Sequence, residues 1–299
     1  LFLKREKNTR VELFDETCEV NVMILCNLHT HCHFCDGSGE PREYVEAAIE
    51  KGFKVLGFSS HAPIPFESEW NMAESRMDDY LRTVAALKEE YRGRIDIYTG
   101  LEIDYFEGDG RKVFIDYPVD YIIGSVHFFA DISNRRYYSI DDTEAEFQKT
   151  LQVLFNGDIK RLVSSYYQQV AEMIKRHRPP IVGHLDVIKK NNGNGKYFSE
   201  SETWYREWID GVLDVIQSHG TIVEVNTGGI SRGYIQEPYP SLWILKRCRQ
   251  REIPVMITSD AHNPKHLDAS FDLARSCLKE AGFNEQCILQ ANTWKRVAL

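Results

Sequence analysis

The sequence predicts a single α/β domain of the barrel-like kind, and three observations carry that expectation. Short apolar, β-branched runs alternate with amphipathic helical stretches along most of the chain. There are about seven such runs, too regular a rhythm for an all-helical or all-strand protein. Most of them end in a polar or histidine-bearing segment before the next helical stretch begins.

The predicted strands fall near residues 22–28, 54–59, 95–101, 120–126, 181–183, 221–226 and 254–258. Between them the helices follow from periodicity and their stop signals. Glu43 to Lys51 places Tyr44, Val45, Ala48 and Ile49 at helical spacing and stops at Gly52, which can adopt the left-handed terminating conformation. Met77 to Tyr91 repeats the pattern before Gly93. Trp204 to His219 is the clearest amphipathic helix, with Trp208, Val212, Val215 and Ile216 expected on its apolar stripe and Gly220 closing it. Lys189–Ser201, with Asn191-Asn192-Gly193-Asn194-Gly195, reads as a lid or a mobile excursion. No linker, repeat or low-complexity tract divides the chain, so residues 1–22 are taken as an N-terminal extension and 23–299 as one domain.

Composition narrows the function. With 42% hydrophobic and 27% charged residues the chain is expected to be globular and soluble. A net charge of −9 argues against a nucleic-acid partner, which requires clustered Lys and Arg. No apolar run is long enough to span a bilayer, and the first residues lack the order of a secretion signal, so a cytoplasmic location and no membrane partner are expected. The seven cysteines are scattered and odd in number, which favours reduced thiols over a disulfide framework. Cys32 and Cys35 form one C-x-x-C pair with no second pair to complete a structural zinc site.

The chemistry resides at the C-terminal ends of the predicted strands. His29 and His31 follow the first, His61 the second, Glu102 the third, His127 the fourth, His184 the fifth, and Asp260 with His262 the last. In a parallel barrel these ends open on one face, where such folds build their sites. An H-x-H segment in extended backbone turns both imidazoles to one side, and Asp260-Ala-His262 repeats the arrangement with a carboxylate. Any one histidine is readily explained as a buried ring bonded to a backbone carbonyl. Histidines at five strand ends together are better explained by bound metal, and mixed nitrogen and oxygen donors suit Zn, Fe or Mn. His33, His177, His219 and His266 lack this placement.

Six blocks of the chain resemble the motifs of the PHP family: Asn27-Leu-His-Thr-His31, Ser59-Ser-His-Ala-Pro63, Gly100-Leu-Glu-Ile-Asp-Tyr105, Gly124-Ser-Val-His127, Gly183-His-Leu-Asp186 and Ser259-Asp-Ala-His262. They run in order through about residues 23–290, and the histidinol-phosphate phosphatase branch is the most similar. The resemblance implies a distorted (β/α)7 barrel with a metal site at the C-terminal ends of its strands. It implies three divalent ions: one held by His29, His31, Glu102 and Asp260, a second by Glu102, His127 and His184, and a third by His61, His262 and Asp36, with His33 as the substitute for Asp36. The implied reaction is hydrolysis of L-histidinol phosphate to L-histidinol and phosphate, in histidine biosynthesis, by direct attack of a metal-bridging hydroxide. A broader phosphoesterase or nuclease acting on nucleotides is the alternative, and a non-catalytic metal-bound module would show degenerate motifs that this chain does not have.

Asp260, Glu102 and His61 are the expected catalytic residues, and either Asp260 or metal-bound water is the expected proton donor to the leaving alcohol. Arg232, in the loop after the sixth strand, is placed to fork onto a phosphate, although an exposed loop cation would look the same. Arg76 and Arg161 are weaker candidates because both fall on helices. Glu67, Tyr105 and Tyr234 lie near strand ends and are further candidates to touch substrate. Gly193–Gly195 and Gly228-Gly229 lack the pattern of a nucleotide-binding loop. The expected partner is a small phosphate ester.

Overall fold

Parallel strands with no helix-free face need crossovers, and the apolar runs separated by amphipathic helices supply them. The computed structural model describes residues 25–107 and 117–299. The extension assigned to 1–22, the start of the first predicted strand and Cys18 lie outside the described residues. The strands are β1 (Cys26–Asn27), β2 (Val55–Phe58), β3 (Asp96–Asp104), β4 (Tyr121–Ser125), β5 (Phe128–Asp131), β6 (Arg136–Ser139), β7 (Ile181–Val182), β8 (Ile222–Asn226), β9 (Val255–Thr258), β10 (Glu285–Gln290) and β11 (Thr293–Ala298). Seven form one sheet in the order β1-β2-β3-β4-β7-β8-β9, every neighbouring pair parallel. The sheet curls until its first and last strands meet at one bridge, Thr30 with Ala261, where the His31 amide donates to the Ala261 carbonyl at 2.8 Å. That makes a nearly closed, distorted (β/α)7 barrel.

The helices are α1 (Pro41–Glu50), α2 (Met77–Glu90), α3 (Glu144–Phe155), α4 (Ile159–His177), α5 (Thr203–His219), α6 (Gly228–Ser231), α7 (Leu242–Gln250) and α8 (Phe271–Glu280). A capping box between Glu40 and Glu43, with Pro41 at the first turn, starts α1 two residues earlier than periodicity alone suggests. Gly220 ends α5 in the left-handed conformation. The apolar face of α5 differs from the expected one. Tyr205, Ile209, Val212, Leu213 and Ile216 are buried, Val215 is at the margin, and Trp208 is 38% exposed. The whole stripe is rotated toward Tyr205, whose hydroxyl meets that of Tyr167 on α4 at 2.9 Å.

Two hairpins had no clear signal in the sequence. β5–β6 rises from the end of β4, and β10–β11 turns at Ala291-Asn292, both with positive φ as a tight hairpin requires. Cys287, Ile288 and Leu289 of β10 pack with Val55, Tyr121, Ile181, Ile222 and Met256, which begin or nearly begin their strands, so this hairpin covers the N-terminal end of the barrel. The opposite end is left open. The 189–201 loop is fastened: the Asn192 side chain accepts from the amides of Tyr197 (2.8 Å) and Phe198 (3.1 Å), and Phe198 is buried. Among the described residues no helix is long and apolar enough to cross a membrane.

Tyr121 bridges the barrel interior by donating to the carbonyls of Leu28 and Phe58, and its ring occupies the space where a Cβ on Gly100 would project. Gly211 on α5 has open space around it. Urea denaturation should therefore show Gly100→Ala losing ~1–3 kcal/mol through overpacking. Gly211→Ala should gain up to ~1 kcal/mol through helix propensity.

Candidate metal centre

The open end of the barrel gathers the side chains that the strand ends carry. Asn27 sets the first of them: its amide donates to Ser259 Oγ at 2.6 Å, and its oxygen accepts from the His29 amide at 3.1 Å. With Thr30 bridged to Ala261 just beyond β9, His29 and His31 point inward together, ring centroids 5.0 Å apart. His61 joins them after β2, its ring centroid 4.5 Å from that of His31. His127 and His184 leave β4 and β7, their Nε2 atoms 3.2 Å apart.

Glu102 lies between the two sets. It sits within β3 rather than after it, because pairing with β4 extends that strand to Asp104. Its Oε1 is 2.9 Å from His184 Nε2 and 3.6 Å from His127 Nε2. Its Oε2 is 3.2 Å from His29 Nε2, 3.4 Å from His31 Nε2 and 3.1 Å from His61 Nδ1. One oxygen faces each group of imidazoles, the geometry of a carboxylate shared between two cations.

The last strand brings Asp260 and His262. Asp260 Oδ1 is 3.1 Å from His31 Nε2, while its Oδ2 accepts from Arg232 Nη2 at 2.9 Å. Its φ of +48° is costly for a residue with a side chain, by on the order of 1 kcal/mol or more. His262 stacks on His31 with centroids 4.2 Å apart and meets Asp36 Oδ2 through Nε2 at 3.1 Å. His33 turns away, toward Glu40. Three of the four donor groups that result are His29, His31 and Asp260; Glu102, His127 and His184; and His31, Asp36, His61 and His262.

The donor atoms fit bound cations. His31 Nε2 and His61 Nδ1 are buried and lie 3.1 Å from Asp260 and Glu102 oxygens respectively, yet neither makes a hydrogen bond among the described residues. Such pairs are close but misaligned, as donors are when they converge on a common point instead of on each other. Cys32 and Cys35 join none of these groups; Cys32 Sγ lies 3.5 Å from Ser60 Oγ, and Cys35 Sγ lies 3.5 Å from His31 Nδ1.

Two carboxylates behind the imidazoles escaped the sequence reading. Glu224, on β8, pairs with His29 Nδ1 and accepts from the His184 amide at 2.7 Å and Thr258 Oγ1 at 2.6 Å. Asp104 pairs with His127 Nδ1 and accepts from Asn71 Nδ2 at 2.9 Å. A fourth cluster, His61, Asp104 and His127, is thereby explained, since both Asp104 oxygens are already engaged. The signals were present: an acid inside the apolar run Ile222-Val-Glu-Val-Asn226, and the alternation Glu102-Ile-Asp104, which puts both acids on one strand face.

Charge follows this arrangement. Burial would lower the His29 imidazole, but Glu224, Asp260 and Glu102 override it and hold the ring well above its usual value. Burial likewise opposes His127, and Asp104 with Asp141 pushes it up to about 10. His31 is driven down to about 3 by burial and by His262 and His61. Glu102 stays well below the carboxylate range despite burial because His61 and His29 face it. Asp260 does so because of Arg232 and His29. The acids are therefore held in their charged form, and Glu224 and Asp104 keep the His29 and His127 rings already oriented.

The cluster forms the floor of a cleft of about 260 Å³, walled by Arg232, Tyr234, Tyr239, Lys190, Trp70 and Asp141. Arg232 Nη1 also reaches His262 Nδ1 at 2.8 Å. The weaker candidates lie elsewhere. Arg76 is bound to the His33 and Phe34 carbonyls, Arg161 sits in the first turn of α4, Tyr105 packs against His177, and Glu67 lines a neighbouring groove.

Residues 27–228 match the family model described as PHP domain. The histidinol-phosphatase of Bacillus subtilis is 32% identical over 254 residues, which cover 78% of this chain and 92% of that protein. A crystal structure from Listeria monocytogenes shares the fold with a TM-score of 0.72 at 23% identity, over 83% of this chain and 99% of the other. A histidinol phosphate phosphatase of Lactococcus lactis, complexed with zinc, L-histidinol and phosphate, superposes with a TM-score of 0.66 at 21% identity, over 90% of this chain and 98% of the other. With its histidines and acids gathered at the mouth of a seven-stranded barrel and its sequence matching over that length, the chain belongs to the PHP family.

Proposed function

We propose that this chain is a metal-dependent phosphomonoesterase that hydrolyses L-histidinol phosphate to L-histidinol and phosphate. The observation that carries the reading is Glu102, whose two oxygens face separate sets of imidazoles beside Arg232 in a cleft sized for a small molecule. The relative from Bacillus subtilis and the ligands of the Lactococcus lactis enzyme support the choice of substrate. His29, His31, Glu102 and Asp260 would hold one ion, Glu102, His127 and His184 a second, and His61, His262 and Asp36 a third, with Zn, Fe or Mn suited to these donors. When bound, the ions supply an activated water and Lewis acidity toward the phosphoryl group.

The protein's own groups do the positioning. Arg232 offers its guanidinium to the phosphoryl oxygens while Asp260 and His262 fix its orientation. Glu224 and Asp104 hold the His29 and His127 rings so that each Nε2 faces Glu102. Asp260, kept ionised by Arg232 and His29, serves as ligand and anchor rather than as the proton source for the leaving alcohol. His61 and Glu102 complete the reacting surface on the floor of the cleft.

Four outcomes are expected. After metal reconstitution, kcat/KM for L-histidinol phosphate should exceed that for nucleoside monophosphates and aryl phosphates by ~100-fold or more, and exhaustive chelation should abolish turnover. Equal values across these substrates would instead mark a broad phosphoesterase. Zinc affinity, measured by competition with a chelator, should rise with pH below about 10, because uptake displaces the protons held on His29 and His127. Glu224→Gln should weaken it by ~10–100-fold and flatten that pH dependence.

A further inference from the structure

Tyr239 lines the cleft beside Arg232, and only 2% of it is exposed. Its hydroxyl is buried without a hydrogen-bond partner among the described residues. A buried, unpaired hydroxyl is destabilising, and native structures seldom keep one without a use. The surrounding chain is shaped to keep this one. The backbone of Tyr239 is pinned to Asn226 at the end of β8 by reciprocal hydrogen bonds of 2.7 and 2.9 Å. A Cβ on Gly229 would lie 2.7 Å from Tyr239 Cε2, and one on Gly228 would lie 2.9 Å from both Arg232 Nη2 and Asp260 Oδ2. The two adjacent glycines, which match no nucleotide-binding pattern, thus seat Arg232 and the Tyr239 ring against one corner of the cleft.

We infer that the Tyr239 hydroxyl donates a hydrogen bond to a non-bridging phosphoryl oxygen of the substrate, beside the fork of Arg232, making Tyr239 a catalytic residue. The inference rests on the phosphomonoesterase reading. A phenol carries its proton at neutral pH, so the hydroxyl has an O–H to offer to a phosphoryl oxygen, which can only accept. The ring itself has independent supports, lying edge-on to His184 and beneath the Lys189 ammonium. The ring can therefore stay in place when the hydroxyl is removed.

Tyr239→Phe tests this. In metal-loaded enzyme, kcat/KM for L-histidinol phosphate should fall ~10–100-fold, the range for a hydrogen bond to a charged group. Competitive inhibition by inorganic phosphate should weaken, while Tm stays level or rises because an unpaired polar group has gone. A variant matching wild type in both kcat/KM and phosphate inhibition overturns the inference, as does a lowered Tm with unchanged phosphate binding. Calorimetric binding of inorganic phosphate separates the two readings. If wild type fails to turn over any phosphomonoester yet Tyr239→Phe weakens phosphate binding, the proposed reaction fails and Tyr239 keeps its place as an anion donor.

Discussion

Glu102 lies inside the barrel with 1% of its surface exposed, and an ionised carboxylate there is tolerable only if cationic or hydrogen-bonding partners replace the water it has lost. Five imidazoles and the Ser125 hydroxyl provide that replacement. Two of those imidazoles need anchoring of their own. His29 and His127 each pass their far nitrogen to a second buried acid, Glu224 or Asp104. Glu224 in turn takes hydrogen bonds from Thr258, Asn226 and the His184 amide. A single central charge thereby dictates polar residues on several strands whose other faces are apolar. This is the reason the interior of the barrel changes from hydrocarbon at its covered end to ionisable groups at its open end.

The site is held in a state that the rest of the molecule has to stabilise. Asp260 adopts a left-handed backbone, several buried ring nitrogens and the Tyr239 hydroxyl lack hydrogen-bond partners among the described residues, and first and last strands meet through one bridge. Each feature works against the stability of the metal-free fold. Compensation comes from apolar packing remote from the cleft. The helices bury Tyr80, Tyr166, Tyr167, Tyr205 and Phe147 completely or nearly so, and the C-terminal hairpin seals the other end of the barrel. Activity and stability are thus divided between the two ends of the same strands.

The particular misreadings have physical causes. Trp208 fits a helical stripe as well as Tyr205 does, and only the neighbouring helix α4 decides which side faces inward. The turns of the β5–β6 and β10–β11 hairpins contain Asn134 and Asn292 but no glycine, and Arg135 and Ala291 take positive φ where glycine is the common signal. The Asn-Gly-rich loop looked mobile because composition does not reveal that Asn192 folds back onto its own backbone. Glu224 and Asp104 were hidden because an acid behind a histidine has no fixed spacing from it; Glu224 is 195 residues away from the ring it holds.

The sequence by itself determined the alternation of strand and helix and the concentration of donors at strand ends, because both depend on local periodicity and on which side chains follow each apolar run. It also singled out Arg232, while the choice between Asp36 and His33 came from the resemblance to the PHP family. The tertiary structure decided what local pattern cannot carry: that both oxygens of Glu102 are used, that Asp36 and not His33 turns inward, and that two adjacent glycines seat an arginine and a buried tyrosine beside the same cleft. Those outcomes depend on the curl of the sheet, which brings residues more than two hundred positions apart to within hydrogen-bonding distance.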